Sequence, residues 1–215
     1  SNSSNSSNGK IILGYIGPFT GEMAMYGEAE SQTLKMLIED TNKKGGLLGK
    51  QIELKTYDNR GDAVETTNAA RKAVQNEKVV AFIGCNTSSA SLTLADICAE
   101  YKIPMITTTA TNSKVTQADD GSVRPYVFRV CLSDPQLGEI MGNYAFNKLG
   151  IKKSAILYEV DSDYSLGITK NFTDSFTAAG GKITTTEAYK TGDVDFRAQL
   201  SKIKNSGDYD AIFIP

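Results

Sequence analysis

The chain has 215 residues, of which 40% are hydrophobic and 22% charged, and its formal net charge at pH 7 is −2. This balance indicates a globular protein with a substantial core, and it excludes recruitment of nucleic acid or of an anionic membrane by bulk charge. Histidine is absent, which removes Ser-His-Asp and Cys-His catalysis and imidazole zinc sites, so the composition argues against a hydrolase.

The N-terminal residues 1–9 begin with SNSSNSSN, a polar low-complexity run that predicts a flexible tether or a cloning remnant. No apolar run approaches the roughly 20 residues that would span a bilayer. No signal peptide is visible either, so if the protein is exported we expect this chain to be in its processed form.

Residues 10–125 predict alternating strands and helices. The predicted strands are Lys10–Ile16, Gln51–Tyr57, Val79–Gly84 and Ile103–Thr108. The first predicted helix runs from about Glu28 to Lys43, with Leu34, Leu37 and Ile38 on one face, and the Gly45-Gly46 pair ends it. The second is capped by Asp62 and continues to about Asn76, and the third runs from Ser89 to Tyr101. Mostly apolar strands separated by helices are typical of a parallel sheet covered on both faces, with the alternating second strand suited to a sheet edge. The pattern therefore predicts a doubly wound, three-layer α/β domain.

Residues 126–215 repeat the strand–helix pattern and predict a second domain of the same kind. Tyr126–Val130 is interpreted as a short strand crossing into it, followed by strands Ala155–Val160, Lys182–Tyr189 and Ala211–Ile214. Three helices are predicted from apolar spacing. The first starts at Asp134 and carries Leu137, Ile140, Met141, Tyr144, Ala145 and Leu149; the second carries Ile168, Phe172, Phe176 and Ala179, with Asp163 as its cap; the third carries Phe196, Leu200 and Ile203. The pattern stops on a strand, so this second lobe is predicted to be incomplete.

Hydroxyl-bearing side chains follow two neighbouring strands of the first domain. One group is Asn86–Ser89 and the other is Thr107–Asn112. Ligands of open α/β sheets bind beyond the carboxyl ends of the strands, and a helix that starts there offers unpaired N–H groups to an anion such as a carboxylate. These loops therefore predict a ligand site; the alternative, that Ser88 or Ser89 only caps its own helix, stays open.

Other candidate motifs are weaker. The segment KKGGLLGKQ lacks the spacing and the Ser/Thr of a phosphate loop. Cys85, Cys98 and Cys131 have no metal-ligand spacing and are predicted to be small buried residues. Tyr26 and Tyr164 each follow a predicted strand, where they could border a ligand or simply pack.

Five segments carry a resemblance to a known family: GYIGPFTGEMAMYGEAE, YDNRGDAVETTNAARK, VVAFIGCNTSSASLTLADICAEYKIPMITTTATNS, VFRVCLSDPQLGEIMGNYA and YEVDSDYSLG. Together they resemble the leucine/isoleucine/valine-binding proteins, which are type I extracytoplasmic solute-binding proteins of ABC importers. The resemblance extends from about Lys10 to Pro215. It implies two α/β lobes that close on an amino acid, no enzymatic activity, no cofactor, and a membrane permease as partner.

The resemblance also implies a role for individual residues. Ser88, with Ser89 beside it, matches the position that receives the ligand's α-carboxylate, and Thr111 contributes its N–H and hydroxyl. The carbonyl of Thr109, next to Ala110, matches the acceptor of the α-ammonium. Tyr26 and Tyr164 match aromatic residues that border and cover the ligand. In the family the chain continues beyond the equivalent of Pro215, and the acid that pairs with the ammonium lies there.

Three functions remain open on the sequence. The preferred one is an extracytoplasmic binding protein, periplasmic or a cell-surface lipoprotein, that captures a branched-chain or other aliphatic amino acid for an ABC importer. The second is a ligand-binding sensor ectodomain with the same fold. An enzyme on a doubly wound scaffold is disfavoured because the glycine fingerprint of a dinucleotide site and any histidine are missing.

Overall fold

The computed structural model describes residues 9–215, so most of the predicted tether lies outside the described residues. The chain forms two compact units. One contains the described residues 9–110 together with Val115–Val130, and the other contains Thr111–Lys114 and Cys131–Pro215. Assigning the predicted ranges 10–125 and 126–215 to two ligand-binding lobes stays a prediction. Between residues 9 and 215 no helix is long and apolar enough to cross a membrane.

The first unit is built on a five-stranded parallel sheet in the order β2-β1-β3-β4-β5. Its strands are β1 (Ile11–Gly17), β2 (Ile52–Asp58), β3 (Ala81–Gly84), β4 (Met105–Thr107) and β5 (Val127–Arg129). Its helices are α1 (Ala24–Lys43), α2 (Ala63–Glu77) and α3 (Ser88–Tyr101), and a short 3₁₀ helix (Ser113–Val115) follows β4 at the junction of the two units. The order is that of a doubly wound sheet, as predicted, and β2 lies at its edge.

Local sequence explains several element ends. Asp62 caps α2 because its carboxylate accepts hydrogen bonds from the amides of Val64 and Glu65, at 2.7 and 2.9 Å. The helix α1 ends at the predicted glycine pair, where Gly45 and Gly46 take up positive φ angles of 106° and 78°. These ends were predictable because capping chemistry is local.

Two sequence predictions for the first unit are wrong. The segment 126–130, interpreted as a crossing into the second domain, contains β5, which pairs with β4 as the fifth strand of the first sheet. Helix α1 begins at Ala24, four residues before the predicted Glu28, and Leu37 on its predicted core face is 55% exposed. The helix instead buries its small residues Gly27 and Ser31.

The second unit has a three-stranded parallel sheet in the order β7-β6-β8. Its strands are β6 (Lys153–Glu159), β7 (Lys182–Tyr189) and β8 (Ala211–Phe213), and its helices are α4 (Asp134–Asn147), α5 (Asp163–Ala178) and α6 (Arg197–Asn205). Side chains of β6 alternate between two cores: Ile156 packs with Phe172 and Phe176 of α5, whereas Ala155 and Leu157 pack with Ile203 of α6.

Three details of the second unit differ from the predictions. Helix α4 approaches α5 through Gly138 and Gly142, while Ile140 and Tyr144 of its predicted core face are 57% and 55% exposed. Strand β8 was predicted to be buried and is half-buried. Asp163 does not cap α5, because the Ser162 hydroxyl takes that position and accepts from the Ser165 amide at 3.2 Å.

Candidate functional site

The carboxyl ends of β1, β3 and β4 form the edge of the first unit where the sequence predicts a ligand. The chain leaves β1 towards β2 on one side and leaves β3 towards β4 on the other. Strand order therefore reverses between β1 and β3, which is the position where open α/β sheets bind their ligands. Gly17 and Gly84 end these two strands.

The loop after β3 leads directly into helix α3. Thr87 is its N-cap, and the Thr87 hydroxyl accepts a hydrogen bond from the Ala90 amide at 3.3 Å. The structure thus assigns the cap to Thr87, and the alternative in which Ser88 or Ser89 caps the helix is wrong. Ser88 is the first residue of α3 and is 2% exposed, and Ser89 is half-buried. Both lie at the N-terminus of a helix, where backbone amides favour an anion.

The loop after β4 is joined to the loop after β3 by hydroxyl groups. The Thr109 hydroxyl donates to the carbonyl of Asn86 at 2.8 Å, and the Thr107 hydroxyl donates to the carbonyl of Cys85 at 2.9 Å. The Thr107 oxygen also accepts from the amide of Ala110 at 3.1 Å. The loop after β3 and residues 107–110 of the loop after β4 are therefore neighbours in the first unit, as predicted, whereas Thr111 and Asn112 belong to the second unit.

A polar network that sequence reasoning missed lies beneath these loops. Glu30 of α1 accepts from the Tyr15 hydroxyl at 3.1 Å and from the Thr108 hydroxyl at 2.7 Å. Tyr15 is fully buried on β1, and its hydroxyl also lies 3.2 Å from Oδ1 of Asn86. Burial, together with the charge of Glu30, raises the pKa of Tyr15, so the phenol stays protonated. A phenol within an aliphatic strand was the available signal, because a buried Tyr needs a hydrogen-bond partner.

The β1–α1 loop is held by Asp58 at the end of β2. Its carboxylate accepts from the Phe19 amide at 2.9 Å, from the Thr20 hydroxyl at 2.6 Å and from the Arg60 amide at 2.9 Å. Partial burial by itself would raise the pKa of Asp58, but these hydrogen bonds outweigh it and lower the pKa. Tyr26 follows this loop on the first turn of α1 and is 53% exposed.

The remaining two predicted residues belong to the second unit. The carbonyl of Thr111 accepts from the amide of Asp134 at 2.8 Å. Tyr164 lies on the first turn of α5 and is 40% exposed; burial of its other atoms, and then the charge of Asp134, raise its pKa. In the same unit the Asn112 side-chain amide donates to the carbonyl of Asp163 at 2.6 Å, which ties residues 111–114 to the start of α5.

The seven predicted ligand residues therefore divide between the units. Those at the carboxyl edge of the first sheet are Tyr26, Ser88, Ser89, Thr109 and Ala110, and those in the second unit are Thr111 and Tyr164. Their role in binding stays a prediction. The geometry of the first group offers amides and hydroxyls, which suit an anionic oxygen.

Two of the three cysteines are buried thiols of low reactivity. Cys85 and Cys98 are buried, as predicted, but Cys131 is partly exposed, so the prediction is wrong for Cys131. Burial raises the pKa of the Cys98 thiol to about 12 and that of the Cys85 thiol further, which makes both poor nucleophiles. Within the described part of the chain, no group of three or more His, Cys, Asp or Glu side chains is arranged to hold a metal ion.

The chain is similar to several known proteins that bind small molecules. A leucine-, isoleucine-, valine-, threonine- and alanine-binding protein of Pseudomonas aeruginosa is 32% identical over 92% of this chain and 51% of its own. The structure of the branched-chain amino acid transporter substrate binding protein LivJ from Streptococcus pneumoniae, in complex with isoleucine, is 33% identical, with a TM-score of 0.84 over 96% of this chain and 57% of its own. A solute binding protein of an ABC transporter from Rhodopseudomonas palustris, in complex with 3,4-dihydroxybenzoic acid, is 29% identical, with a TM-score of 0.82 over 96% of this chain and 54% of its own.

The chain spans about half the length of the curated relatives it matches. The fold is the type I fold of these solute-binding proteins, as predicted. The family model described as periplasmic binding protein matches residues 10–214, which is most of the sequence. The chain belongs to the periplasmic binding protein family, which consists of substrate-binding proteins that are not enzymes and whose name implies a location outside the cytoplasm.

Proposed function

We propose that the protein captures an amino acid, branched-chain or otherwise aliphatic, and delivers it to the permease of an ABC importer. The observation that carries the proposal is the N-terminus of α3. It lies at the strand-order reversal of the first sheet, and Thr87 provides its cap, so capping does not account for Ser88 and Ser89. An α-carboxylate is the part of an amino acid that a helix N-terminus recognises.

The relatives support the ligand class. The Pseudomonas aeruginosa relative is named for binding leucine, isoleucine, valine, threonine and alanine, and the Streptococcus pneumoniae structure contains isoleucine. In the proposed site Ser88 and Ser89 bind the carboxylate, the Thr109 carbonyl receives the ammonium beside Ala110, and Tyr26 borders the side chain. Thr111 and Tyr164 are proposed to contribute from the second unit.

An aromatic carboxylate is a second candidate ligand. The Rhodopseudomonas palustris structure contains 3,4-dihydroxybenzoic acid, and its sequence is nearly as similar to this chain as the amino acid-binding relatives are. Isoleucine and dihydroxybenzoic acid share only the carboxylate. The two classes differ in the ammonium, so the proposed role of the Thr109 carbonyl applies to the amino acid alone.

A thermal-shift screen of the protein tests the proposal. The twenty amino acids, benzoate and 3,4-dihydroxybenzoate are the probes, and a ligand raises Tm because it binds only the folded state. We expect the largest shift with leucine, isoleucine or valine. A shift with the aromatic acids alone would replace the amino acid by the second candidate, and no shift with any probe would contradict both.

A double substitution tests the site. Ser88→Ala with Thr111→Ala is expected to weaken binding of the best amino acid by a few kcal/mol, since hydrogen bonds to a charged group each contribute about 1.5–3 kcal/mol. Thr33→Ala is the matched control, because Thr33 is an exposed hydroxyl on α1 that bonds only within its own helix. Unchanged affinity in the double variant would exclude both residues from the site.

The cellular setting is part of the same proposal. Transfer to a permease and capture of the ligand between two closing lobes follow from the resemblance, and attachment to the cell surface by a lipid anchor is suggested by the polar run SNSSNSSN before the first strand. A pull-down of the permease encoded for the same importer, in the presence and absence of the best amino acid, tests the first of these.

A further inference from the structure

Glu30 of α1 bonds directly to β1 and to the loop after β4, and it is connected through Tyr15 to the loop after β3. Glu30 is half-buried on α1, and each of its carboxylate oxygens has a different partner. Oε2 accepts from Tyr15 of β1, and Oε1 accepts from Thr108, which follows β4. The Tyr15 hydroxyl lies within hydrogen-bond distance of Asn86, which follows β3.

The donors and acceptors in this network assign the central role to Glu30. The Tyr15 phenol has one proton but lies within 3.1–3.3 Å of three oxygens, those of Glu30, Asn86 and the Gly27 carbonyl. The carboxylate is the strongest acceptor because its bond is charge-assisted. If the phenol donates its proton to Glu30, the Asn86 side-chain amide can be turned so that its nitrogen, instead of its oxygen, faces Tyr15. Asn86 then donates to the phenol oxygen, and Tyr15 and Asn86 each have a hydrogen-bond partner.

Two members of this network, Thr108 and Asn86, adjoin the residues proposed to bind the ligand. Thr108 precedes Thr109 and Ala110, and Asn86 lies two residues before Ser88. The Thr109 hydroxyl already joins the two loops to each other at 2.8 Å. Glu30 adds a bond from this pair of loops to α1, whose first turn carries Tyr26. Positions in a binding site must be held to within about half an ångström, and supporting hydrogen bonds supply that precision.

We propose that Glu30 is a positioning residue of the amino acid site, which fixes the loops after β3 and β4 to α1 through Tyr15 and Thr108. The expected effect of Glu30 on ligand affinity rests on the proposed function. Its expected effect on the two loops of the ligand-free protein does not. Loss of the carboxylate should loosen both loops at once, although they belong to different strand ends.

Amide hydrogen exchange of the ligand-free protein tests the positioning directly. In Glu30→Ala, the Ala110 and Ala90 amides, which bond to Thr107 and Thr87, are expected to exchange at least about tenfold faster. Glu28→Ala is the matched control: it removes the same charge from the same helix, but Glu28 is exposed and bonds only to Gln32. Equal exchange rates in the two variants would overturn the proposal.

Ligand affinity gives a second and separate readout. Isothermal titration should show that the affinity of Glu30→Ala for isoleucine is at least about tenfold lower than that of Glu28→Ala. Thr108→Val should weaken binding in the same way, and Thr108→Ser should restore it because serine keeps the hydroxyl that donates to Glu30. Unchanged affinity in Glu30→Ala and Thr108→Val, with normal binding by the parent, would overturn the proposal.

The two readouts separate the two hypotheses. If the parent protein binds no amino acid, the proposed function fails, and the exchange rates alone decide whether Glu30 positions the loops. If the parent binds isoleucine and neither exchange nor affinity responds to Glu30→Ala, the function stands and Glu30 is a surface acid of α1 without a positioning role.

Discussion

Helices α1 and α5 occupy equivalent places in the two units and are attached to their sheets by different chemistry. Each follows a strand that is paired on both sides and leads to the edge strand beside it, as β1-α1-β2 and β6-α5-β7. Helix α5 is attached by apolar side chains: Phe172 stacks on Phe213 of β8 at 3.9 Å, and Phe172 and Phe176 share a core with Ile156 of β6. Helix α1 buries only Gly27 and Ser31, and its attachment relies on hydrogen bonds of Glu30 and Asn42.

The difference shows how one topology serves two purposes. Burial of apolar surface is non-directional and contributes stability in proportion to the area buried. Hydrogen bonds contribute less, about 1 kcal/mol each, but they specify distance and angle. The proposed ligand loops adjoin α1, where position matters, whereas α5 supplies much of the core of its own unit. Four changes should separate these contributions.

The largest effect is expected from Phe176→Ala in α5. Phe176 is fully buried among Phe172, Phe146 and Ile156, so its truncation leaves a cavity and should lower the free energy of unfolding by about 3–5 kcal/mol. Urea unfolding measures the loss, with Phe128→Ala as control, since Phe128 is 58% exposed on β5. A cost no larger than that of the control would mean that α5 is not attached through its aromatic side chains.

A smaller loss is expected from Gly27→Ala in α1. A Cβ at Gly27 would lie 1.8 Å from the backbone oxygen of Pro18, so the helix or the loop has to move. The strain should exceed the roughly 1 kcal/mol by which alanine favours a helix over glycine, and leave a net loss of about 1–3 kcal/mol. Urea unfolding of Gly27→Ala beside Glu28→Ala checks this. Stabilisation by Gly27→Ala would show that α1 is not pressed against the loop.

Acid should weaken the attachment of the β1–α1 loop through Asp58. The folded-state pKa of Asp58 lies below its ordinary value of 3.8, so its contribution is present above that value and is lost as pH falls through the folded-state pKa. Parent and Asp58→Asn should therefore differ by about 1–2 kcal/mol in unfolding free energy at pH 7 and converge at low pH. A difference that stays constant between pH 7 and pH 3 would contradict this account.

The smallest effect is expected from the cap of α5. Ser162→Ala removes the hydroxyl that accepts from the Ser165 amide and should cost about 1 kcal/mol. Met23→Ala is the counterpart in α1, whose N-cap Met23 makes no side-chain bond, so it should change stability by less than about 0.5 kcal/mol. If thermal unfolding shows the same loss of stability for Ser162→Ala and Met23→Ala, the two helices do not differ in the contribution of their N-caps.

Much of the fold could be predicted because its signals are local. Strand Lys182–Tyr189 was predicted with both of its ends, and the helix cap at Asp62 and the glycine stop after α1 were also predicted. The neighbouring position of the two hydroxyl-rich loops followed from strand order, since consecutive parallel strands end at the same edge. The roles of the seven ligand residues came from resemblance and stay predictions.

The errors share a physical cause. Apolar spacing on α4 predicted that Ile140 and Tyr144 face the core, but the close approach of α4 to α5 is made by Gly138 and Gly142, which carry no apolar signal. The capping residue differed from the prediction at both α3 and α5, where Thr87 and Ser162 precede the predicted residues by one or two positions. Neighbouring Ser, Thr and Asp side chains are nearly equivalent as caps, so backbone geometry decides among them.

The sequence by itself determined the alternation of strands and helices, the parallel sheets and the polar edge, because these follow from periodicity, capping and turn chemistry along the chain. Only the tertiary structure decided that β5 completes the first sheet and that Glu30 meets Tyr15 and Thr108. Those partners are 15 and 78 residues away in the chain. Their meeting depends on how whole elements pack, which no local pattern records.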